Sequence, residues 1–440
     1  MLPLEGLRVI DLSEVWAGPF AASLLGDLGA QVIKLESYPR APQTRPTIVP
    51  ANPLGFAGGG TAKDHPWDRS AAHNMANRNK YGITLNLRSP RGKALFQLLI
   101  AVSDVLIEGY SAGTMKRLEL DYPVLCQVNP GLVMISMPGW GSDGPYAGYV
   151  TLGSGIDATS GHHYLRGYPD ADPLQTVSCV HSDAIGAVTA SFAAMTGLMY
   201  RRRTGKGQWI DLSQAEAFLP HLAYPLLDYA MNGRAAQPLG NHDRWMAPHR
   251  CYACQGEDEH IAICVATDAQ WRALCQVAGH PEWGEGPRFA DVTSRFQHQA
   301  ELDELIEAWT RQRDKGALAE LLQSAGVPAG PVLRDRELFS DPHLTARGAF
   351  QEATHTTIGT HLYPGMLWKY SETPMNIRLA PNALGEHNRM VFQEVLGLSE
   401  GEYRSLEEDG LIGNTYTATA QLDARDQAPS PVLQQPPKIA

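Results

Sequence analysis

The first forty residues alternate short apolar runs with a helical segment, and this βα rhythm restricts the possible folds more than any other feature. Leu7–Leu12 reads as a buried strand, Ala17-Gly18-Pro19 leads into a helix over Phe20–Leu28 that stops at Gly29, and Gln31–Glu36 reads as a second strand. Strand, short helix and strand in that order require a right-handed crossover and therefore a parallel, Rossmann-type sheet. The pattern continues with a strand over Ile83–Leu87, a helix over Pro90–Val102 opened by Ser89-Pro90, and strands over Asp104–Glu108 and Leu132–Met137. The loops gather at the carboxyl ends of the strands, where open α/β sheets bind ligands. The first turn reads Ser13-Glu14-Val15-Trp16-Ala17-Gly18-Pro19 and lacks the G-x-G-x-x-G of dinucleotide sites, which disfavours ordinary dinucleotide binding.

From about Tyr224 the character changes. Tyr252 and Ile261–Val265 read as strands and Ala269–Ala278 and Leu302–Gln323 as helices, which makes a smaller α+β domain. The expected organisation is a large domain begun by residues 1–223, a small domain over 224–325, a return segment over 326–413 that completes the large domain, and a flexible tail over 414–440, polar and rich in Pro and Gln. A long stretch between Ser37 and Arg78, including Gly58-Gly59-Gly60, has no evident secondary structure; loops of that length are usually functional or engaged with another subunit.

Charge narrows the function classes. With 36 basic against 47 acidic residues the formal charge is -11, which opposes non-specific attraction to nucleic acid or anionic lipid, so an anionic ligand has to meet a local basic patch. No apolar run approaches a membrane span and no leader pattern is visible, so a cytoplasmic protein with no nucleic-acid or membrane partner is expected. Six cysteines in 440 residues fit a reducing compartment. Cys251-Tyr252-Ala253-Cys254, with His249 and His260 nearby, lacks a second pair at zinc-site spacing, and no metal site is expected.

One carboxylate stands out. Asp183 follows Val177-Ser178-Cys179-Val180-His181-Ser182 and precedes a helix of small apolar residues over Ala184–Tyr200, which ends in Arg201-Arg202-Arg203-Thr204-Gly205 as a helix C-terminus should. Asp183 reads first as an N-cap, and also as a carboxylate that loses hydration beside apolar surface and becomes a better nucleophile. The local pattern does not separate the two roles, and one residue can fill both.

Several segments taken in order resemble one family, the family III CoA-transferases (CaiB/BaiF type), the superfamily of formyl-CoA transferase, carnitine CoA-transferase and α-methylacyl-CoA racemase. They are Leu7–Leu12 with Ala17-Gly18-Pro19, Leu28–Glu36, Asn77-Arg78-Asn79-Lys80 with Ile83–Leu87, Ser103–Glu108, Asn129-Pro130, Gly139–Tyr146, the Asp183 segment, Arg203–Asp211, Gly326–Pro331, Asp341-Pro342 and Leu384–His387. The resemblance implies an interlocked homodimer of ring-shaped chains, each with a Rossmann-like large domain built from both termini and a small central domain. It implies CoA transfer from a donor acyl-CoA to a free carboxylic acid through an aspartyl-CoA thioester on Asp183, with no cofactor beyond coenzyme A as substrate. A protein carboxylate that holds the activated group away from water is what such an exchange needs.

The resemblance also implies binding residues. Val15, Trp16 and Ala17 match the first-turn residues that touch CoA, Asn79 and Lys80 match a CoA-lining turn, and Tyr110 and Arg117 match residues that stack on adenine and meet phosphate. A basic residue present in some relatives is replaced by Pro138. The histidine that racemases pair with the aspartate falls at Leu152, which speaks against racemase or isomerase activity, the alternative within the superfamily. The glycine-rich gate of formyl-CoA transferases is replaced by Leu239–Trp245. Trp16, Gly141, Arg244 and Trp245 are therefore expected to line a pocket for an acid larger than oxalate. Tyr168-Pro169-Asp170 with Pro173, and Trp245–His249, resemble the subgroup acting on aromatic or branched dicarboxylic acids such as benzylsuccinate with succinyl-CoA as donor. Arg244 has two readings, a carboxylate holder or the partner of a local acid near Asp243. A role as one subunit of a hetero-oligomeric transferase also stays open.

Overall fold

The computed structural model describes residues 1–42, 44–45, 65–172 and 179–416. Gly58–Gly60, Pro173, Val177, Ser178 and the tail beyond Tyr416 lie outside the described residues. The chain divides into two compact units, one of Met1–Ser160, Cys179–Ala223 and Ala346–Ala440, the other of Gly161–Ser178 and Tyr224–Thr345.

The larger unit is built on six parallel strands, β1 (Arg8–Leu12), β2 (Gln31–Ser37), β3 (Lys80–Leu85), β4 (Val105–Glu108), β5 (Val133–Ser136) and β6 (Gln208–Asp211), in the order β3-β2-β1-β4-β5-β6. That is the doubly wound order expected of the opening βα rhythm. The order reverses at β1, so the β1 and β4 carboxyl ends flank the crevice where such sheets bind ligands. The helices that matter here are α1 (Ala17–Asp27), α2 (Pro90–Ala101), α3 (Thr114–Arg117), α4 (Gly153–Thr159), α5 (His181–Thr204) and α6 (Gln214–Phe218). Helix α2 starts where Ser89-Pro90 requires, the Ser89 hydroxyl accepting from the Gly92 N–H.

Apolar side chains line both faces of the sheet. On one, Ala21, Ala22 and Leu25 of α1 pack with Ala187, Ala190, Ala194 and Leu198 of α5 over Val9, Val105 and Ile135. Small residues let the helix backbones approach, and Ser191 Oγ donates to the Ala21 carbonyl at 3.2 Å. On the other, α2 and the returning C-terminal chain (Val391, Phe392, Tyr403, Leu406, Leu411) cover Ile10, Ile33, Ile83 and Leu106. The return segment also closes the β3 edge: Asn79 N–H donates to Leu379, Gly82 N–H to His387 Nδ1, Thr84 N–H to Asn388 Oδ1, and Thr84 Oγ1 to Gly413.

Two ionic knots are sealed in this unit. Asp11 lies between Lys80 (2.8 Å) and Lys34 (3.4 Å), all three buried. Arg45 is fully enclosed and donates to Glu36, to Asp68 at 2.7 Å and to the Asn382 carbonyl at 2.8 Å. The stretch expected to be structureless thus contains structure: Arg45 is anchored, Pro66–Asp68 forms a 3-10 turn, and Ala71–Asn74 a helical one. The chain expected to be loose from residue 414 is likewise held at Tyr416, which is buried, stacks on Tyr38 and donates to the Ser37 carbonyl at 2.7 Å.

The smaller unit has an antiparallel sheet of β7 (His249–Ala253), β8 (His260–Cys264) and β9 (Ala329–Pro331). The helices Asp268–Ala278, Gln299–Thr310 and Lys315–Ser324 pack on it around Trp271, Leu274, Ile306 and Leu322. The single helix expected over Leu302–Gln323 is two, because Asp314 accepts from the Gly316 and Ala317 N–H groups and caps a new start. The pairing of β9 with β8 carries this unit past residue 325, where it was expected to end, and it runs to Thr345. Among the described residues no helix is long and apolar enough to cross a membrane, and no three His, Cys, Asp or Glu side chains are grouped to hold a metal.

Candidate active site

Asp183 lies at the sheet's ligand end, at the start of α5, but it does not cap that helix. The helix begins at His181, three residues before the expected start, with Val180 as N-cap at φ +43°. A β-branched residue in the left-handed region is strained, and nothing in the local pattern announces it. Asp183 therefore sits in the first turn, buried, and the Ala17 N–H at the start of α1 hydrogen-bonds its carboxylate. Burial pushes the Asp183 carboxyl up from 3.8 to about 6; the Ala17 N–H opposes this, and the nearby Asp157 carboxylate adds to it. Desolvation thus outweighs the favourable ends of two helices.

The turn that delivers Ala17 is itself strained. Val15 has φ +68°, a second β-branched residue in the left-handed region, and Trp16 caps α1 with its ring 6.4 Å from that of Phe20. Of the residues expected at the site, Ala17 is brought to the Asp183 carboxylate by its N–H, and Val15 and Trp16 form the turn that precedes it.

Beside this turn, at the carboxyl ends of β2, β3 and β4, opens a cavity of about 410 Å³ lined by Glu14, Tyr38, Arg40, Leu87, Arg88, Tyr110 and Thr114 among others. Tyr110 is in its wall. Arg117 is not among the lining residues; it is exposed and donates to Thr114 Oγ1 at 2.7 Å. The exposed cations on the cavity are Arg40 and Arg88, which the sequence reading did not single out. Their place just after strands β2 and β3 at the ligand end of the sheet was the available signal. Glu14, mostly enclosed here, has its carboxyl pushed up by burial.

Asn79 and Lys80 face inward. Lys80 Nζ donates to Asp11, to the Pro19 and Ala76 carbonyls and to Asn77 Oδ1, all within 3.0 Å. Asn79, at φ +58°, donates to Asp27 and accepts from the Arg378 and Leu379 N–H groups. Their polar side-chain groups are engaged with the strand and the C-terminal return.

Gly141, at φ +83°, heads a loop that Ser142 ties to β6 through two 2.9 Å bonds to Asp211. Arg244 and Trp245 belong to the smaller unit. Arg244 pairs with Asp228 at 3.2 Å, lies over the Tyr224 ring, and shares Asp228 with Arg234. The local-acid reading of Arg244 is the one seen, with Asp228 as the acid; Asp243 accepts instead from the Trp245 and Met246 N–H groups. Trp245 is 72% exposed.

Comparisons with known proteins identify the family. Residues 4–388 match the model of CoA-transferase family III. The chain is 32% identical over 410 residues to succinyl-CoA–D-citramalate CoA-transferase of Chloroflexus aurantiacus, covering 93% of this chain and 98% of that protein. It is 30% identical over 413 residues to the beta subunit of succinyl-CoA–L-malate CoA-transferase of the same organism, covering 93% and 98%. The crystal structure of a CaiB/BaiF family protein from Brucella suis superposes with a TM-score of 0.79 at 30% identity, covering 90% of this chain and 99% of that one. With a family match over most of its length and an α/β fold shared with a solved member, the chain belongs to CoA-transferase family III.

Proposed function

We propose that this enzyme moves coenzyme A from succinyl-CoA to a C4 or C5 dicarboxylic acid, with Asp183 as the covalent carrier. The Asp183 carboxylate attacks the thioester carbonyl, forming an aspartyl–succinyl anhydride and releasing CoA thiolate. The thiolate attacks the aspartyl carbonyl, giving aspartyl-CoA thioester and free succinate. The acceptor carboxylate then displaces the thiolate to form a second anhydride, and the thiolate attacks its acceptor carbonyl, releasing the new acyl-CoA and regenerating Asp183. Each step exchanges one leaving group for another and consumes no water.

The observation that carries this reading is the desolvated Asp183 carboxylate against the Ala17 N–H. A carboxylate with a raised proton affinity is the better nucleophile, and the N–H at a helix start stabilises negative charge developing on the aspartyl carbonyl oxygen. The neighbouring cavity supports binding of the nucleotide end of CoA, with Tyr110 against the adenine and Arg40 and Arg88 meeting phosphates. Arg40→Ala and Arg88→Ala are each expected to raise the KM for the donor ester about tenfold with little change in kcat, a difference worth ~1.4 kcal/mol. Steady-state kinetics check this, and unchanged donor KM in both variants rules against CoA in this cavity.

The donor and acceptor classes rest on the relatives, which use succinyl-CoA with citramalate or malate. Purified protein with succinyl-CoA is offered malate, citramalate, glutarate, benzylsuccinate, oxalate and formate. Transfer to one or more of the larger dicarboxylates is expected; preference for oxalate or formate overturns the acceptor class. The interlocked homodimer belongs to the same reading, and exposed Val188, Phe192, Met199 and Tyr200 on α5 support burial against another chain. One relative is a subunit of a larger transferase, so light scattering and activity of this chain alone decide between self-association and a paralogous partner.

A further inference from the structure

A second carboxylate is built into the start of α5 and has no part in the scheme above. Asp157, on the short helix α4, is 1% exposed; its Oδ2 accepts from the His181 N–H at 3.2 Å and its Oδ1 from the Ser182 N–H at 3.1 Å. Ser182 in turn donates its hydroxyl to the Gly153 carbonyl at 3.0 Å, at the other end of α4. Gly153 itself faces the carboxylate of Asp183: a Cβ placed there would fall inside the van der Waals envelope of Asp183 Oδ2. Helix α4 thus holds the first turn of α5 at one end and leaves a side-chain-free wall for Asp183 at the other.

We propose that Asp157 and Gly153 are positioning residues for the reaction at Asp183, Asp157 by clamping the first turn of α5 with a buried charge and Gly153 by keeping open the space the Asp183 carboxylate occupies. The inference rests on Asp183 being the covalent carrier. Asp157 takes up the His181 and Ser182 N–H groups that would otherwise be unsatisfied at the helix start. Its negative charge also resists ionisation of Asp183 and so helps keep that carboxyl near 6. Among the described residues, the elements packed most closely on α5 add Glu216 on α6 and Asp27 at the far end of α1, paired with Arg78; β5 has no ionisable group, and His181 lies on α5 itself.

Two variants of the full-length protein test this, with Asp183→Asn as the control. Asp183 reacts as the anion, so activity is lost as pH falls through its pKa of about 6. Asp157→Asn removes the charge yet still accepts one of the two N–H groups, and it is expected to move the acid limb of kcat/KM to lower pH by ~0.5 unit or more. A purely structural Asp157 would lower activity at every pH and leave the limb in place, which overturns its part of the proposal. Should Asp157→Asn not fold, Asp157→Thr, whose hydroxyl also accepts, is read the same way. Gly153→Ala is expected to cut kcat by roughly 100-fold or more without loss of fold, since alanine is the better helix former. Activity of Gly153→Ala within threefold of the parent overturns the positioning role of the glycine. Near-normal turnover in Asp183→Asn would instead overturn the proposed function, whereas an inactive Asp183→Asn beside an unmoved limb and an active Gly153→Ala defeats this inference alone.

Discussion

Asp183→Asn is expected to abolish CoA transfer, by about a thousandfold or more in kcat, while making the protein more stable at neutral pH. Asparagine fills the same space and still accepts from Ala17, but its amide is not a nucleophile that can carry CoA. The stability gain follows from the raised carboxyl. With a folded pKa of about 6 against the ordinary 3.8, the native state holds a proton on Asp183 that the unfolded chain has already released. Asp183 therefore costs nothing below about pH 4, and its ionisation draws stability down progressively as pH rises through about 6, on the order of 2 kcal/mol in all. Asparagine mimics the protonated form at every pH. Thermal melts of the two proteins should coincide near pH 4 and separate in favour of the variant by pH 7. An Asn variant that is active, or less stable than the parent at pH 7, would contradict the reading. During turnover of the parent with succinyl-CoA, mass spectrometry should find CoA attached to the peptide containing Asp183.

Arg45→Met is expected to be the most damaging substitution away from the site. The guanidinium is fully buried and binds Glu36 and Asp68 together, and among the described residues no other buried cation bonds either carboxylate. Methionine replaces the volume and leaves two acids facing each other in the core, a loss of about 3–5 kcal/mol. Asp68, whose carboxyl burial already pushes up despite Arg45, would be raised further. Protonation relieves the repulsion, so the variant should recover part of its stability at pH 5 relative to pH 8. Denaturant titrations at both pH values check this; a loss under 1 kcal/mol, or one equal at both, would show that the knot is not held by Arg45.

Five of the six parallel strands were legible because each carries a short apolar run, and those expected over 7–12, 31–36 and 104–108 fall within about a residue of those found, whereas β6, Gln-Trp-Ile-Asp, has no such run and was not expected. β3 was misplaced by three residues at its start because Lys80 reads as a surface charge; its partner Asp11, 69 positions away, is what lets it begin a buried strand. The Asp183 helix was placed too late because its start depends on Val180 adopting a conformation its own side chain disfavours. Asp157 gave no local signal at all, since what it binds is a backbone 24 residues on. Arg40 and Arg88, rather than Arg117, line the cavity, and their positions after β2 and β3 are the signal for that. Periodicity records what a residue buries, and only the folded chain records which charge it meets.

The way the C-terminal return seals β3 has a consequence for synthesis. The groups that satisfy that edge, from Leu379 to Gly413, are made nearly 300 residues after Thr84. At ~5–20 residues per second, the ribosome leaves the edge uncovered for about 15 to 60 seconds. An open strand edge is a template for pairing with other chains. The nascent polypeptide therefore cannot finish its larger unit while growing, and its exposure to misassembly is set by translation speed as much as by the stability of the finished fold.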